Sequence, residues 1–400
     1  MANQLLTPTA VTREALRILH QKLNFIGNVN RTYDDSFAKD GAKIGDSLKI
    51  RLPNQYSVRT GATLSTQDTT ETSVTLQVAT QKGVDLNFTS TDLTMSLDSF
   101  SDRILKPAMS VLAANIESDM LQNVYKDVYQ QANNVGSAIT FKKVLDARKL
   151  LVDSLTPPDM NMLLNTQDNI DLVDALKGLF NDQSEVAKQY RTGMVGRTAG
   201  FDFWENTMMP SHTVGAHGGT PLVNGASQTG ASLATDGWTN STTGVLKEGD
   251  VFTIAGVFRV HPETKVSTGA LQQFVVTADA DSGATTGPAT LSISPSIVVT
   301  GARQNVTASP ADNAAITVVG TASTAHDISL AFHKDAFAFA TADLVMPKGV
   351  DFSSRQVLDG VSMRIVRAYD INNDKFPCRL DVLYGYKTLR AEMAARVANN

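Results

Sequence analysis

A break in composition constrains this chain more than any motif in it. From about Thr213 to Ala325 only roughly one residue in ten is charged, and Gly, Ser, Thr and Ala dominate. Within that stretch "VFTIAGVFRV" (251–260), "LQQFVVTAD" (271–279), "ATLSISPSIVV" (289–299) and "AITVVG" (315–320) are strand-like runs between turn signals. Several short strands at such spacing predict a small all-β module. A different character precedes it and returns after it, so residues 213–327 read as an insertion into another domain.

The flanking sequence is mixed. Residues 10–26 form a candidate amphipathic helix, with Leu16, Leu19, Leu23 and Ile26 on one face and Arg13, Arg17 and Lys22 around the other. "DSLKIRLP" (46–53) and "TSVTLQVATQKGVDLNF" (72–88) alternate as strands do, and the polar stretch between them offers almost nothing to a core. A two-stranded hairpin of this kind is marginal alone in water, so it predicts a partner surface. Leu105, Leu112, Ile116, Met120, Val124 and Val128 predict a helix from about 105 to 133, on the order of 40 Å long, with Pro107 in its first turn. Next come a helix in "FKKVLDARKLLVDSL" (141–155) stopped by Pro157 and Pro158, a buried strand in "MNMLLN" (160–165) and a helix in "QDNIDLVDALKGLF" (167–180). The last 40 residues hold strands in "VSMRIVRAYD" (361–370) and "CRLDVLYGYKTL" (378–389), then a short polar tail.

No pattern in the chain carries chemistry. There is no phosphate-binding or dinucleotide-binding Gly-rich loop, no H-E-x-x-H and no nucleophile elbow. His212 and His217 stand five apart in a Gly-rich loop without a third regular ligand, and read as solvated. Asp34/Asp35 and Asp279/Asp281 lack the Gly and terminal Glu of a calcium loop, and read as turns. In "LAFHKDAFAFATADLVMP" (330–347), His333, Lys334 and Asp335 are consecutive, and consecutive residues on a strand point to opposite faces. The trio therefore reads as a corner between two strands. The second strand then has a bulky face of Phe337, Phe339 and Thr341 and a thin one of Ala336, Ala338 and Ala340. No catalytic, metal or cofactor site is expected.

A chain of 400 residues predicts two or three domains, and its 42% apolar and 19% charged content is that of a folded protein. The net charge of −5 is scattered and forms no basic stripe, so nucleic acid is expected to be contacted weakly and non-specifically. Cys378, the single cysteine, excludes an intrachain disulfide and a thiolate zinc site, and reads as a small buried apolar residue. The first residues lack a signal peptide's apolar core, and no stretch approaches the roughly 20 apolar residues that span a bilayer. Synthesis in a cytoplasm and no membrane role are expected.

Taken in order, the pieces resemble tailed-phage major capsid proteins. More narrowly they resemble the coat proteins of short-tailed phages, typified by that of the Salmonella podovirus, which carry an inserted β domain. The resemblance rests on "SFSDRILKPAMSVLAANIESDML" (99–121), "GRTAGFDFWENTMMPSHTVG" (196–215), "LKEGDVFTIAGVFRVHPETK" (246–265), "ISLAFHKDAFAFATADLVMP" (328–347) and "RLDVLYGYKTLRAEMAARV" (379–397). It implies an α+β capsid fold with an N-terminal arm (1–45), an extended loop (46–92) and a peripheral domain with a spine helix (93–140, completed by 361–400). An axial domain (141–212 and 328–360) and an inserted β-barrel (213–327) complete it.

The function so implied is a coat protein of the icosahedral shell around a double-stranded DNA genome, assembled in the host bacterial cytoplasm through a procapsid that matures and expands. Its implied partners are other copies of itself as pentamers and hexamers, a separate scaffolding protein, a portal protein and in some cases a decoration protein. Arg51, Arg59, Glu71, Lys82 and Asp85 on the hairpin are expected to make intersubunit contacts. The competing reading is a carbohydrate-binding or adhesin-like protein with 213–327 as its binding module, although Trp238 is the only Trp there.

Overall fold

The computed structural model describes residues 12, 14, 15, 19, 23–32, 47–59, 61–64, 66–69, 71–89, 106–176, 197–358 and 361–399. In chain order these contain β1 (Ser47–Arg51), β2 (Ser73–Gln77), β3 (Thr80–Thr89), α1 (Lys106–Val124), β4 (Gln131–Asn133) and α2 (Phe141–Asp153). Then come β5 (Met160–Leu164), α3 (Thr166–Leu176), β6 (Arg197–Thr198), β7 (Phe201–Glu205) and β8 (Ser211–Thr213). Next are β9 (Gly219–Val223), β10 (Gly230–Trp238), β11 (Val251–Val260), β12 (Ser267–Val276), β13 (Ala289–Ile297) and β14 (Ile316–Val318). The last are β15 (Ala325–His333), β16 (Phe337–Ala342), β17 (Phe352–Leu358), β18 (Val361–Arg367), β19 (Lys375–Thr388) and β20 (Ala394–Asn399).

The chain divides into two compact units. The first comprises Met1–Arg51, Ser73–Met120 and Phe337–Leu389. Its sheet runs β16-β19-β18-β17, with β3 also paired to β19, and β1 and β2 form a separate hairpin. Helix α1 buries Met109, Leu112, Ala113, Ile116 and Met120. Its Glu117, 3% exposed, accepts the backbone N–H of Phe25 at 2.9 Å and so fastens the N-terminal segment, where Ala15, Leu19, Leu23 and Ile26 are buried. Leu16, Arg13, Arg17 and Lys22 lie outside the described residues.

The two faces of β16 are used as their sizes dictate. Phe339 stacks on Tyr384 at 5.7 Å, and the Tyr384 hydroxyl donates to Asp119 of α1 at 2.6 Å. On the other face, Ala338 and Ala340 pack with Ile50, Leu76, Val78 and Leu389, so the thin side is where the β1–β2 hairpin approaches. Gly385, opposite Ala340 in register, lies so close to the Gln77 carbonyl that a Cβ there would collide with it.

The second unit comprises Leu52–Thr72, Leu121–Ala336 and Arg390–Asn400. Its mixed sheet runs β4-β20-β15-β5-β7-β6, with β8 on the first part of β15. Buried residues of α2 (Val144, Ala147, Leu151) and α3 (Leu172) pack with Met160, Met162, Phe201, Phe203 and Val397 of this sheet. The second sheet of the unit, β14-β11-β12-β13-β10-β9, closes on itself: Leu222 bridges to Ala315, the Val223 N–H donates to the Ala314 carbonyl, and the Val223 carbonyl accepts from the Asn313 N–H. This barrel has its own core, centred on Leu233, Trp238, Phe252, Phe274, Leu291 and Ile293. The chain leaves for it at Thr213 and returns at Ala325, and those two residues are cross-strand partners.

Four expectations need correction. The long helix ends at Val124, not near Asn133; a 3-10 turn follows over Tyr125–Asp127, and Val128 is extended. Its 19 residues span about 28 Å. The reason is that Gln131–Asn133 pair in parallel with β20 and cannot also be helical. The polar tail is instead β20, buried at every position between β15 and β4. The boundary expected at 360/361 falls inside a hairpin, since β17 and β18 pair over their whole length. Helix α2 ends at Asp153, ahead of both prolines, where Leu155 turns the chain with φ +59°.

Gly385→Ala tests the close approach over β16. Because the obstacle is backbone, the methyl cannot be accommodated by a rotamer change. The expected loss is about 1–3 kcal/mol, with faster amide exchange at Val74–Val78 in hydrogen-exchange mass spectrometry.

Candidate functional site

The consecutive His333, Lys334 and Asp335 form a corner, as their order requires. His333 ends β15, Lys334–Ala336 make one 3-10 turn, and β16 starts at Phe337. The Asp335 backbone N–H donates to His333 Nδ1 at 3.3 Å, and burial pushes the His333 pKa down. Lys334 points to solvent. The trio forms a turn and does not converge on a common point.

The polar cluster that organises the second unit lies elsewhere, at the foot of the barrel, and His212 belongs to it. This overturns the expectation of a solvated loop histidine: His212 lies on β8 at 4% exposure, paired in register with His326 of β15. Its Nε2 is 2.8 Å from Asp250 Oδ1, its Nδ1 3.1 Å from the Tyr125 hydroxyl, and its ring meets His326 edge-on at 5.4 Å. With the Nε2–H donating to Asp250, Nδ1 is left to accept from Tyr125.

Asp250 sits at the entrance to β11 and is 1% exposed. Besides His212, it accepts the backbone N–H of Gly215 at 3.0 Å and of Lys247 at 2.7 Å. A side chain at Gly215 would strike Leu246 and the Val245 carbonyl, so the close approach depends on glycine. Arg396 of β20 is fully buried, donates to the Gly249 carbonyl at 2.8 Å and lies over the Tyr125 ring at 5.8 Å. Burial pushes its pKa down to about 10, against the pull of Tyr125 and Asp250, which leaves it charged at neutral pH. Burial raises the Tyr125 pKa and drives that of His326 down to about 4, with the neighbouring His212 and Arg396 adding to the fall. Further ties surround the cluster: Gln131 and Gln273 exchange two bonds at 2.9 and 2.8 Å, and Lys126 pairs with Glu248 at 2.9 Å.

The remaining singled-out residues are structural. Asp279 and Asp281 accept the N–H groups of Glu248 and Gly244 at 2.8 and 2.6 Å, which is turn chemistry. Asp34 and Asp35 lie outside the described residues. His217 contacts the Gly320 carbonyl at 3.3 Å. Cys378 is buried, and burial pushes its thiol up to about 11, away from thiolate reactivity. Trp238 is 3% exposed with its indole N–H on Thr235, so it offers no face to a sugar.

The charges expected on the hairpin are dispersed, and two of them, Lys82 and Asp85, lie instead on β3, paired with β19. Arg59 bonds carbonyls of its own loop, Gly61 and Thr63. Lys82 reaches the Asn115 carbonyl at 3.2 Å and Asp119 at 3.9 Å, and Asp85 faces Arg379 at 3.7 Å. Arg51 and Glu71 are exposed on either arm of the hairpin. Sequence reasoning passed over Tyr56, Val58 and Leu64, which are 59%, 94% and 78% exposed on the polar stretch between the arms. Three large apolar groups presented to water on one loop are a contact signal that charge counting misses. Among the described residues no helix is long and apolar enough to cross a membrane.

The family described as "P22 coat protein - gene protein 5" matches residues 11–396. No curated protein matches the chain. Among solved structures, that titled "Mycobacterium phage Che8" is 13% identical, covers 92% of this chain and 88% of its own, and superposes with a TM-score of 0.46. The capsid of Cyanophage P-SCSP1u is 9% identical over 89% of this chain and 84% of its own, at 0.44. The I-domain of the CUS-3 coat protein is 29% identical over 26% of this chain and 98% of its own, at 0.20.

The buried histidine gives the second unit a defined acid sensitivity. The folded His326 pKa of about 4 lies below the ordinary imidazole value of 6.5, so between them the unfolded chain binds the proton that the folded chain refuses. Stability from this group is complete above pH 6.5, falls as pH drops towards 4 and levels off below. The loss is on the order of 3 kcal/mol. Urea unfolding at pH 7 and pH 4.5 should show a smaller acid loss in His326→Leu than in the unaltered chain; equal losses would remove His326 as the cause.

Proposed function

The chain belongs to the P22 coat protein family, and from that membership we propose how its parts serve the shell that such a protein forms. It is a tailed-phage major capsid protein and a virion component, and its role is structural. The observation that carries this is a family match running through both units and the barrel alike.

The first unit, with α1 and the β16–β19 sheet, serves as the peripheral domain, and the sheet of the second unit serves as the axial domain. Residues 337–360 then belong with the peripheral part and 390–400 with the axial part, because their strands pair that way. The closed barrel is the inserted domain, stitched in where Thr213 faces Ala325. The tip of the stretch 52–72 lies across a neighbouring copy, with Val58 and Leu64 as its apolar contacts and Arg59 and Glu71 as its polar ones, and Arg51 of β1 and Lys82 and Asp85 of β3 add further polar contacts. The shell encloses double-stranded DNA held only loosely, which a chain of net charge −5 favours. It is built in the host cytoplasm around a separate scaffolding protein and a portal, matures by expansion, and can take a decoration protein. No active site is required for any of these steps.

Electron microscopy of the chain expressed with and without its neighbouring genes tests the reading. Uniform closed shells tens of nanometres across are expected, and a strictly monomeric product under every condition would sink it. Arg59→Glu should slow assembly severalfold while leaving subunit unfolding unchanged; unaltered assembly would strike Arg59 from the contact set.

A further inference from the structure

A cleft of about 610 Å³ opens in the second unit between the β11–β12 hairpin and the start of the stretch 52–72, where Tyr56 and Val58 of the same copy line it. Its walls carry Arg259, Lys265, Arg303 and Arg390 against Glu263 and Glu392, two positive charges in excess. Glu392 is already held by Arg390 at 2.8 Å, so the excess falls on Arg259, Lys265 and Arg303, with Glu263 the one carboxylate beside them in the walls. Arg259 meets only neutral acceptors, Ser154 Oγ at 2.6 Å and Gln130 Oε1 at 3.3 Å. Lys265 meets only the Gln304 carbonyl, at 3.3 Å. Among the described residues neither has a carboxylate within ion-pair distance. Both are half-buried, so each has given up part of its hydration without receiving an anion.

We propose that this cleft receives a carboxylate-bearing segment of a second copy of the chain, with Lys265 and Arg259 as its anion contacts. The occupant follows from charge and setting. The chain as a whole carries −5, so in a shell of identical subunits the abundant anionic neighbour is another copy. A cleft of this volume takes one or two extended side chains and is too small for a nucleic-acid duplex, roughly 20 Å across, to enter. Burial lowers the Lys265 pKa, and a carboxylate arriving beside it would reverse that shift. The proposal rests on the shell-forming reading.

Its test reads the contact directly. Shells assembled from a mixture of isotope-labelled and unlabelled subunits are treated with a water-soluble carbodiimide, which joins a lysine amine to a carboxylate it touches with loss of water. Mass spectrometry is expected to find Lys265 linked to an Asp or Glu peptide carrying the other label. Links from Lys265 only to Glu263 of the same copy would overturn the proposal, as would protection of Lys265 by short duplex DNA but not by assembly. In a second arm, Lys265→Glu should slow assembly at least tenfold at low salt, Lys265→Gln less, and both should flatten its salt dependence without changing subunit unfolding. Unaltered assembly in both variants would also overturn it. If unaltered subunits form no shells, it is the shell-forming reading that fails, and the two failures are thereby separate.

Discussion

One buried carboxylate holds the second unit in register. Asp250 is out of water and has no directly bonded cation among the described residues, so its charge is tolerable only because hydrogen-bond donors converge on it. Those donors come from separate parts of the chain: the ring of His212 on the outgoing strand, the first glycine beyond it, and the turn leading into β11. A hydrophobic joint could slide, because apolar surfaces accept many registers. A carboxylate that needs three particular donors accepts one. The barrel is thus fixed in one orientation on β8 and β15, and Arg396 extends the constraint to β20 through the Gly249 carbonyl.

Such a joint contributes specificity more than strength. Burying Arg396 and Asp250 costs solvation that their mutual attraction offsets only in part. What it excludes are alternative dockings of the barrel, each of which would leave a charge unpaired in the interior. For a subunit repeated throughout a shell that exclusion matters, since a tilted barrel in one copy would misplace every contact built on it.

Most elements were legible where patterning was local. The four strand-like runs of 251–320, α2, β5, α3 and the strands at 361–389 follow from period and punctuation, and the Ala face of β16 announced a close neighbour. Strands β9 and β10 were not legible, because "GTPLV" and "GASLATDGW" carry too few β-branched residues to rise above the loop background. β20 was missed for another reason: "AARVAN" is short, and its arginine reads as a surface residue unless one knows that a carbonyl and an aromatic ring await it. The long helix was overextended because Val128 continued the apolar spacing, while parallel pairing with β20, a contact remote in sequence, decided the backbone. His212 and Asp250 are 38 positions apart. Nothing in the residues around either one points to the other, so the cluster that matters most to the second unit was the least visible.

The division of polar groups also bears on how a shell can be both correctable and durable. Asp250, His212 and the Tyr125 hydroxyl are committed to fixed partners inside the second unit, and surface charges such as Lys82 on β3 are already engaged within their own subunit, there with α1. The groups that can face a neighbour are of modest individual worth: exposed ion pairs contribute about 0–1 kcal/mol each, and single apolar side chains such as Val58 only a little more when covered. A subunit that arrives misaligned makes one or two such contacts and can leave. A correctly placed one makes all of them together, and their summed effect grows with every neighbour added. The selectivity of growth then depends on subunits being identical in shape, which returns the burden to the buried carboxylate that keeps each barrel where it is.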